Sequence, residues 1–108
     1  MPVYKVAYDL LIDVLDIGKN VDKRYSVPLT NRMKEISYQI AYNVRIIYDI
    51  KDREALIEST QASCRELAFI LQILCDKKQF SKKKFALESE RIVSVSKQLD
   101  GLRRTVKA

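Results

Sequence analysis

Residues 77–85, KKQFSKKKF, place five lysines and two phenylalanines in nine positions. Ammonium groups at that density attract anions, and the phosphate backbone of nucleic acid is the commonest anionic polymer to meet them. The simpler reading is the solvated start of a helix. The placement of charge favours the sharper one. From Lys77 onward the chain has ten basic and three acidic residues, whereas the preceding part has ten basic and eleven acidic. The net charge of +6 therefore belongs to the last third. The candidate nucleic-acid contacts are Lys77, Lys78, Lys82, Lys83, Lys84, Arg91, Lys97, Arg103 and Arg104. An acidic protein surface would be met by the same charges, so a protein-only adaptor is the competing reading.

Other chemistry is poorly represented. The chain has no histidine, which removes a nucleophile–histidine–acid arrangement and the Glu-x-x-His units of a helical di-iron centre. It has no CxxC pair, no GxGxxG and no phosphate-binding GxxxxGK loop. Asp9, Asp13 and Asp16 share one helical face, which reads as a solvated acidic face, since no second cluster of oxygen ligands accompanies it. Glu88 and Glu90 are two apart and point in different directions on a helix. These patterns give a non-enzymatic protein with no cofactor and no metal.

Cys64 and Cys75 lie eleven residues apart in one predicted helix, roughly 16 Å along its axis, too far for a disulfide. They read as core thiols in a reducing compartment. Tyr38, Tyr42 and Arg45 form a line on another helix, with Tyr48, Tyr4 and Tyr8 adding aromatic surface. Tyrosine suits both a core edge and the rim of a protein interface, and Tyr38, Tyr42 and Arg45 are the candidate protein-interface residues. The start MPVYKVAYD lacks the charged and apolar regions of a signal peptide. No apolar run approaches the roughly 18 residues of a membrane span. The expectation is a cytoplasmic protein without a membrane partner.

Four helices must position these groups. Only two glycines and two prolines interrupt 108 residues, which favours long helices in a single domain, 1–108. Val3, Ala7, Leu10, Val14, Ile17 and Val21 recur at steps of three and four and predict the first helix, with Leu11 and Leu15 widening its apolar face. Either Ser26 or Thr30 caps the second helix, which carries Leu29, Met33, Ile36, Ile40, Val44 and Ile47 and ends near Asp49. Asp52 caps the third, with Leu56, Thr60, Ser63, Leu67, Leu71 and Leu74 inward and Ile57, Cys64, Ile70 and Ile73 alongside. The small residues early in that stripe predict close backbone approach near Ser63. Ser81 caps the fourth, whose stripe is Phe85, Ile92, Val95, Leu99, Leu102 and Val106, with Glu88 as the one polar intruder. Short connections between helices this long predict an all-α, antiparallel up-down-up-down four-helix bundle.

These pieces, in this order, resemble one family. They are YKVAYDLLIDVLDIGKNVDKRYSVPLTNRMKEISYQI, a leucine-rich third helix, CDKKQFSKKKFALESERI and LDGLRRTV. They are similar to the four-helix-bundle family that includes the Avd proteins, the accessory variability determinants of diversity-generating retroelements. Proteins encoded in intervening sequences of bacterial 23S ribosomal RNA genes belong to the related set. YKVAYDLL resembles the family's opening helix, and KRYSVPLTNRMKE its link into the second, with Arg32 as the signature base. The turn at Phe80 and Ser81 resembles the start of the fourth. The intervening-sequence relatives often carry a PxNIAEG-like stretch; here YQIAYNVRIIYD lacks the Glu-Gly ending, which favours the Avd side. The resemblance implies a homopentameric ring that associates with a reverse transcriptase and template RNA to support mutagenic cDNA synthesis. Five subunits of +6 would sum to about +30, a field that binds RNA in a salt-dependent way without reading sequence. The alternative implied is a protein of the ribosomal-insertion type, which has no settled biochemical role.

Overall fold

A computed structural model of the chain describes residues 2–107, with side chains described at all of these except 26, 27 and 104–107. The described residues form four α-helices and no strand: α1 Val3–Lys19, α2 Asn31–Ile46, α3 Arg53–Asp76 and α4 Lys82–Lys107. Each helix touches its neighbours in sequence, and α1 also touches α4, so the contacts close into a cycle. The long dimension, 46 Å, is set by the helices themselves; 26 residues of α4 rise about 39 Å. No helix of the described residues is long and apolar enough to cross a membrane.

The termini of the helices follow local chemistry. Pro2 precedes α1, where its missing N–H costs nothing, and its carbonyl accepts from Val6 N at 3.2 Å. α1 stops at Lys19, two residues before the expected end, although Val21 beyond it is still buried. Between α1 and α2 the chain makes a tight 3-10 turn, Lys23–Tyr25, and then a wide π-type turn, Ser26–Thr30. Pro28 has no N–H to give to an ordinary α-turn there. Thr30 does not cap: its backbone is helical, and its hydroxyl donates to the Tyr25 carbonyl at 3.2 Å. The other candidate cap, Ser26, has its side chain outside the described residues. Asp52 does cap α3, accepting from Ala55 N at 3.3 Å. Gly18 permits a close approach. A Cβ there would lie 2.7 Å from Cε of Lys34, so the lysine chain of α2 lies over the end of α1.

The core follows the predicted stripes, with Leu29, Leu56, Ser63, Phe85 and Leu102 only half-buried. Leu10, Val14, Met33, Ile40, Ile57, Leu67, Leu71, Leu74, Val95 and Leu99 are all sealed from water. Leu15, expected to widen the face of α1, is exposed, while Val6 is buried instead. Val106 has its side chain outside the described residues. The small, polar start of the α3 stripe forms a hydrogen-bonded seam. Asn43 Nδ2 donates to Thr60 Oγ1 at 3.1 Å, and Thr60 donates on to the Leu56 carbonyl at 2.7 Å. On the other side of α3, Gln61 Nε2 donates to the Ser96 carbonyl and to Asp100 of α4. Buried polar pairs with both partners satisfied fix the register of one helix against the next. Cys64 is buried, and burial pushes its thiol up to about 12, as expected of a core cysteine. Cys75 is only half-buried.

Leu67 and Leu99 sit at 0% exposure on facing helices. Truncating either to Ala removes buried apolar atoms and leaves a cavity, so each variant is expected to lose about 2–5 kcal/mol in urea unfolding. Losses below about half a kcal/mol at both positions would contradict this core register.

Candidate nucleic-acid interface

The lysine-rich segment is a rigid corner. α3 ends in a Schellman motif: Lys78 N bonds to the Cys75 carbonyl at 2.9 Å, and Gln79 N to the Leu74 carbonyl at 2.9 Å. This motif places its key residue in the left-handed region, where glycine is usual. Here it is Lys78, with φ 60°, the only non-glycine of positive φ among the described residues. The side-chain amide of Gln79 then ties the corner down. Its Nε2 donates to the Lys77 carbonyl at 3.0 Å, and its Oε1 accepts from Asp22 N at 2.8 Å in the α1–α2 connection. Phe80 and Phe85 meet at 6.5 Å between ring centroids and lean on the core. Ser81 caps α4 as predicted, accepting from Lys84 N at 3.0 Å.

The nine predicted basic positions divide into two groups. Lys77, Lys78, Lys82, Lys83 and Lys97 are exposed and make no ion pair among the described residues. Lys82 and Lys83 stand in the first turn of α4, where the helix dipole disfavours cations. Lys84, Arg91 and Arg103 turn inward. Lys84 Nζ pairs with Asp13 at 3.1 Å and with Glu88 at 3.5 Å. Arg91 Nη1 pairs with Asp13 and, at 3.1 Å, with Glu88. Arg103 lies 3.0 Å from Glu54 and 3.2 Å from Asp100, and donates to Gln61. These three charges are answered inside the chain. Lys97 lies on α4 about 21 Å beyond Lys83, so it is not part of the corner. Arg104 has its side chain outside the described residues.

The group around Glu88 joins α1 to α4. Glu88 is wholly buried yet ionisable. Burial pushes its carboxyl up to about 7, and the neighbouring Asp13 adds to the rise while Arg91 opposes it. Asp13 goes the other way. Burial would raise it, but hydrogen bonds with Glu88, Lys84 and Arg91 outweigh that and hold it at about 2. Two carboxyls in contact titrate as a pair, with the proton held on the drier one. Asp13 is thus not part of a solvated acidic face, as its helical position had implied. Asp9 and Asp16 do stay near the surface, paired with Lys5 and Lys19.

The interface candidates lie on α2 beside α1. Tyr38 and Tyr42 stack nearly parallel at 6.1 Å and are about half exposed. Arg45 spans to α1, with its guanidinium over the Tyr4 ring at 5.6 Å and Nη1 donating to the Tyr4 hydroxyl at 3.3 Å. Tyr8 extends the patch and is exposed. Arg32 is held bidentately by Glu66 at 2.8 and 2.9 Å and by Glu35 at 2.9 Å. Sequence reasoning missed Gln79. Its partner is 57 residues away, and no local pattern signals that bond.

Two measurements follow from this geometry. Replacing Lys78 with Gly relieves a left-handed lysine, so urea unfolding is expected to show a gain of about 1 kcal/mol; a loss would mean that the lysine side chain has a structural task. The second is a pH series. A carboxyl raised in the folded state gives stability that is fully present below about 4.5 and lost as pH rises through about 7. Asp13 does the reverse: its contribution is present above about 3.8 and lost as pH falls through about 2. With no histidine in the chain, the window between about pH 5 and 7 belongs to Glu88. Stability is expected to fall across it by up to about 1.4 kcal/mol per pH unit, and Glu88→Gln to flatten that slope. A wild-type profile flat over this window would refute the raised carboxyl.

The chain matches no protein-family profile, no curated protein and no solved structure.

Proposed function

We propose that the chain is a non-enzymatic accessory scaffold that binds RNA through the corner between α3 and α4. We further propose that its four helices run up-down-up-down as an antiparallel bundle. Side-chain pairs between helices support this direction. The start of α1 meets the end of α2 through Tyr4 and Arg45, and the end of α2 meets the start of α3 through Asn43 and Thr60. The start of α3 meets the end of α4 through Glu54 and Arg103. The start of α4 meets α1 through Lys84 and Asp13.

One observation carries the RNA reading. Lys77, Lys78, Lys82 and Lys83 stay exposed and without an ion pair among the described residues, although the same chain neutralises Lys84, Arg91 and Arg103. Lys78 occupies a backbone position that disfavours lysine, and Lys82 and Lys83 occupy a helix end that disfavours cations. Local choices that oppose stability tend to mark function. Phosphate oxygens suit this corner, where the exposed Lys82 and Lys83 stand at a helix N-terminus whose dipole favours anions.

The resemblance to Avd proteins extends the reading. The scaffold would act in the cytoplasm in a diversity-generating retroelement, holding reverse transcriptase and template RNA together for mutagenic cDNA synthesis. The chain would assemble as a closed homo-oligomer, a pentamer on the family's pattern. The exposed tyrosine patch of Tyr8, Tyr38 and Tyr42 supports such an assembly, because closed symmetry buries it without forming fibres.

The RNA reading is tested with Lys82→Gln/Lys83→Gln, which leaves the Lys84 ion pairs untouched. Fluorescence titration at several salt concentrations is expected to show RNA affinity at least about tenfold weaker, with a slope of log affinity on log salt shallower by about 2. An unchanged affinity and slope would move this surface to the protein-adaptor reading. Native mass spectrometry on the same samples reports the assembly, and a clean 12.6 kDa monomer would end the ring proposal.

A further inference from the structure

The corner between α3 and α4 does not stand alone. The Gln79 side chain bonds at one end to the Lys77 carbonyl and at the other to Asp22 N, so a single amide separates the two backbones. Asp22 opens the 3-10 turn Lys23–Tyr25 of the α1–α2 connection. Within that turn Asp22 is already answered by Arg24, whose backbone N donates to it at 2.9 Å and whose Nη2 pairs with it at 3.1 Å. Lys23, between them, is exposed and has no ion pair among the described residues. Two basic rows thus lie side by side at one end of the fold. One holds Lys23 with Arg24, and the other holds Lys77, Lys78, Lys82 and Lys83. Residues 19–24 and 76–84 together hold eight basic and two acidic residues, of which Lys19 and Lys84 pair with acids outside these stretches.

We propose that these two rows form one composite surface that grips double-helical RNA by its phosphates, with Lys23 on one strand and the α3–α4 corner on the other. This rests on the RNA reading above and names the form of RNA. Two observations and one general property of nucleic acid point to a duplex. First, the exposed lysines come from two separate connections that Gln79 ties together, Lys23 on one and Lys77, Lys78, Lys82 and Lys83 on the other, and a double helix offers two phosphate strands to meet them. Second, the aromatics within these two connections offer no stacking platform, and the exposed Phe69 lies on α3 beside Pro28, Leu29 and Arg32. Single strands are bound by exposed aromatics on which bases lie, but Tyr25, Phe80 and Phe85, the aromatics of these connections, are half-buried and packed on the core. The exposed tyrosines Tyr38 and Tyr42 belong to α2, on its face toward Tyr4 and Tyr8 of α1. Third, a double helix carries a denser line of charge than a single strand and gains more from each cation, with a salt slope near 0.9 per contact against about 0.7. Recognition of this kind follows backbone shape and not base sequence.

The probes are a short blunt-ended RNA duplex and an oligouridine of the same length, titrated against the intact chain at several salt concentrations. The duplex is expected to bind more tightly. Lys23→Gln is expected to weaken duplex binding by about fivefold and to make its salt slope shallower by about 1. Gln79→Ala, which changes no charge, is expected to weaken duplex binding while leaving oligouridine binding as it was. Circular dichroism on each variant verifies the fold, and Lys23→Gln, fully at the surface, keeps the test valid should Gln79→Ala unfold. If Lys82→Gln/Lys83→Gln weakens binding but Lys23→Gln does not, the composite surface is refuted and the RNA reading stands. Equal or tighter binding of oligouridine refutes the duplex form alone. If neither RNA binds, or no lysine variant alters binding, the RNA reading falls and the composite with it.

Discussion

A carboxyl sealed inside a helical core must be protonated, paired or both, because a lone charge there costs more than a small domain can supply. Glu88 imposes that constraint on this fold. It is fully buried on α4, and it draws Lys84 and Arg91 inward from the same helix and Asp13 across from α1. The first and last helices are therefore set in register by charge as well as by apolar packing. Two of the other three interfaces have weaker versions of the same device, Asn43 with Thr60 between α2 and α3, and Gln61 with Asp100 between α3 and α4. Each polar pair permits one alignment, whereas leucines tolerate several.

The same constraint sorts the surface. Cations drawn toward Glu88 and Asp13 cannot also face a phosphate. Among the described residues, α4 thus keeps its outward charge at Lys82, Lys83 and Lys97. The corner before α4 projects Lys77 and Lys78, and the Gln79 amide fastens it to the neighbouring connection. The basic end of the molecule is a product of topology. No continuous stretch of sequence contains it, and the +7 counted over the last third includes charges that the fold neutralises.

Much of the fold was legible because helical periodicity survives any tertiary context. The stripes through Leu10, Ile40, Leu67 and Leu99 were read correctly, and Asp52 and Ser81 announced two helix starts by local chemistry alone. The start of α2 was ambiguous, since either Ser26, with Pro28 in the first turn, or Thr30 fits a cap; the chain makes a π-type turn instead. Glu88 looked like an intruder because Asp13, the acid on α1 that shares Lys84 and Arg91 with it, lies more than 70 residues away. Of the site, the lysine run could be seen, but not which lysines remain free. That depends on which acids α1 presents to α4, a fact of packing. The Gln79 bridge was invisible for the same reason. Glutamine in a turn has no distinguishing pattern until its partner is in place.

The α1–α4 seam also bears on the order in which the chain can assemble. Asp13 and Arg91 are 78 residues apart, the widest separation among the paired side chains described. Closing a loop of that length costs about 4 kcal/mol of chain entropy by the logarithmic rule. The α2–α3 and α3–α4 connections are only a few residues long, so those helix pairs can form as local hairpins well before the ends of the chain meet. Until α1 docks, Glu88 faces water and needs no partner. Its dehydration is thus deferred to the step that delivers Asp13, with Lys84 and Arg91 already at hand on its own helix.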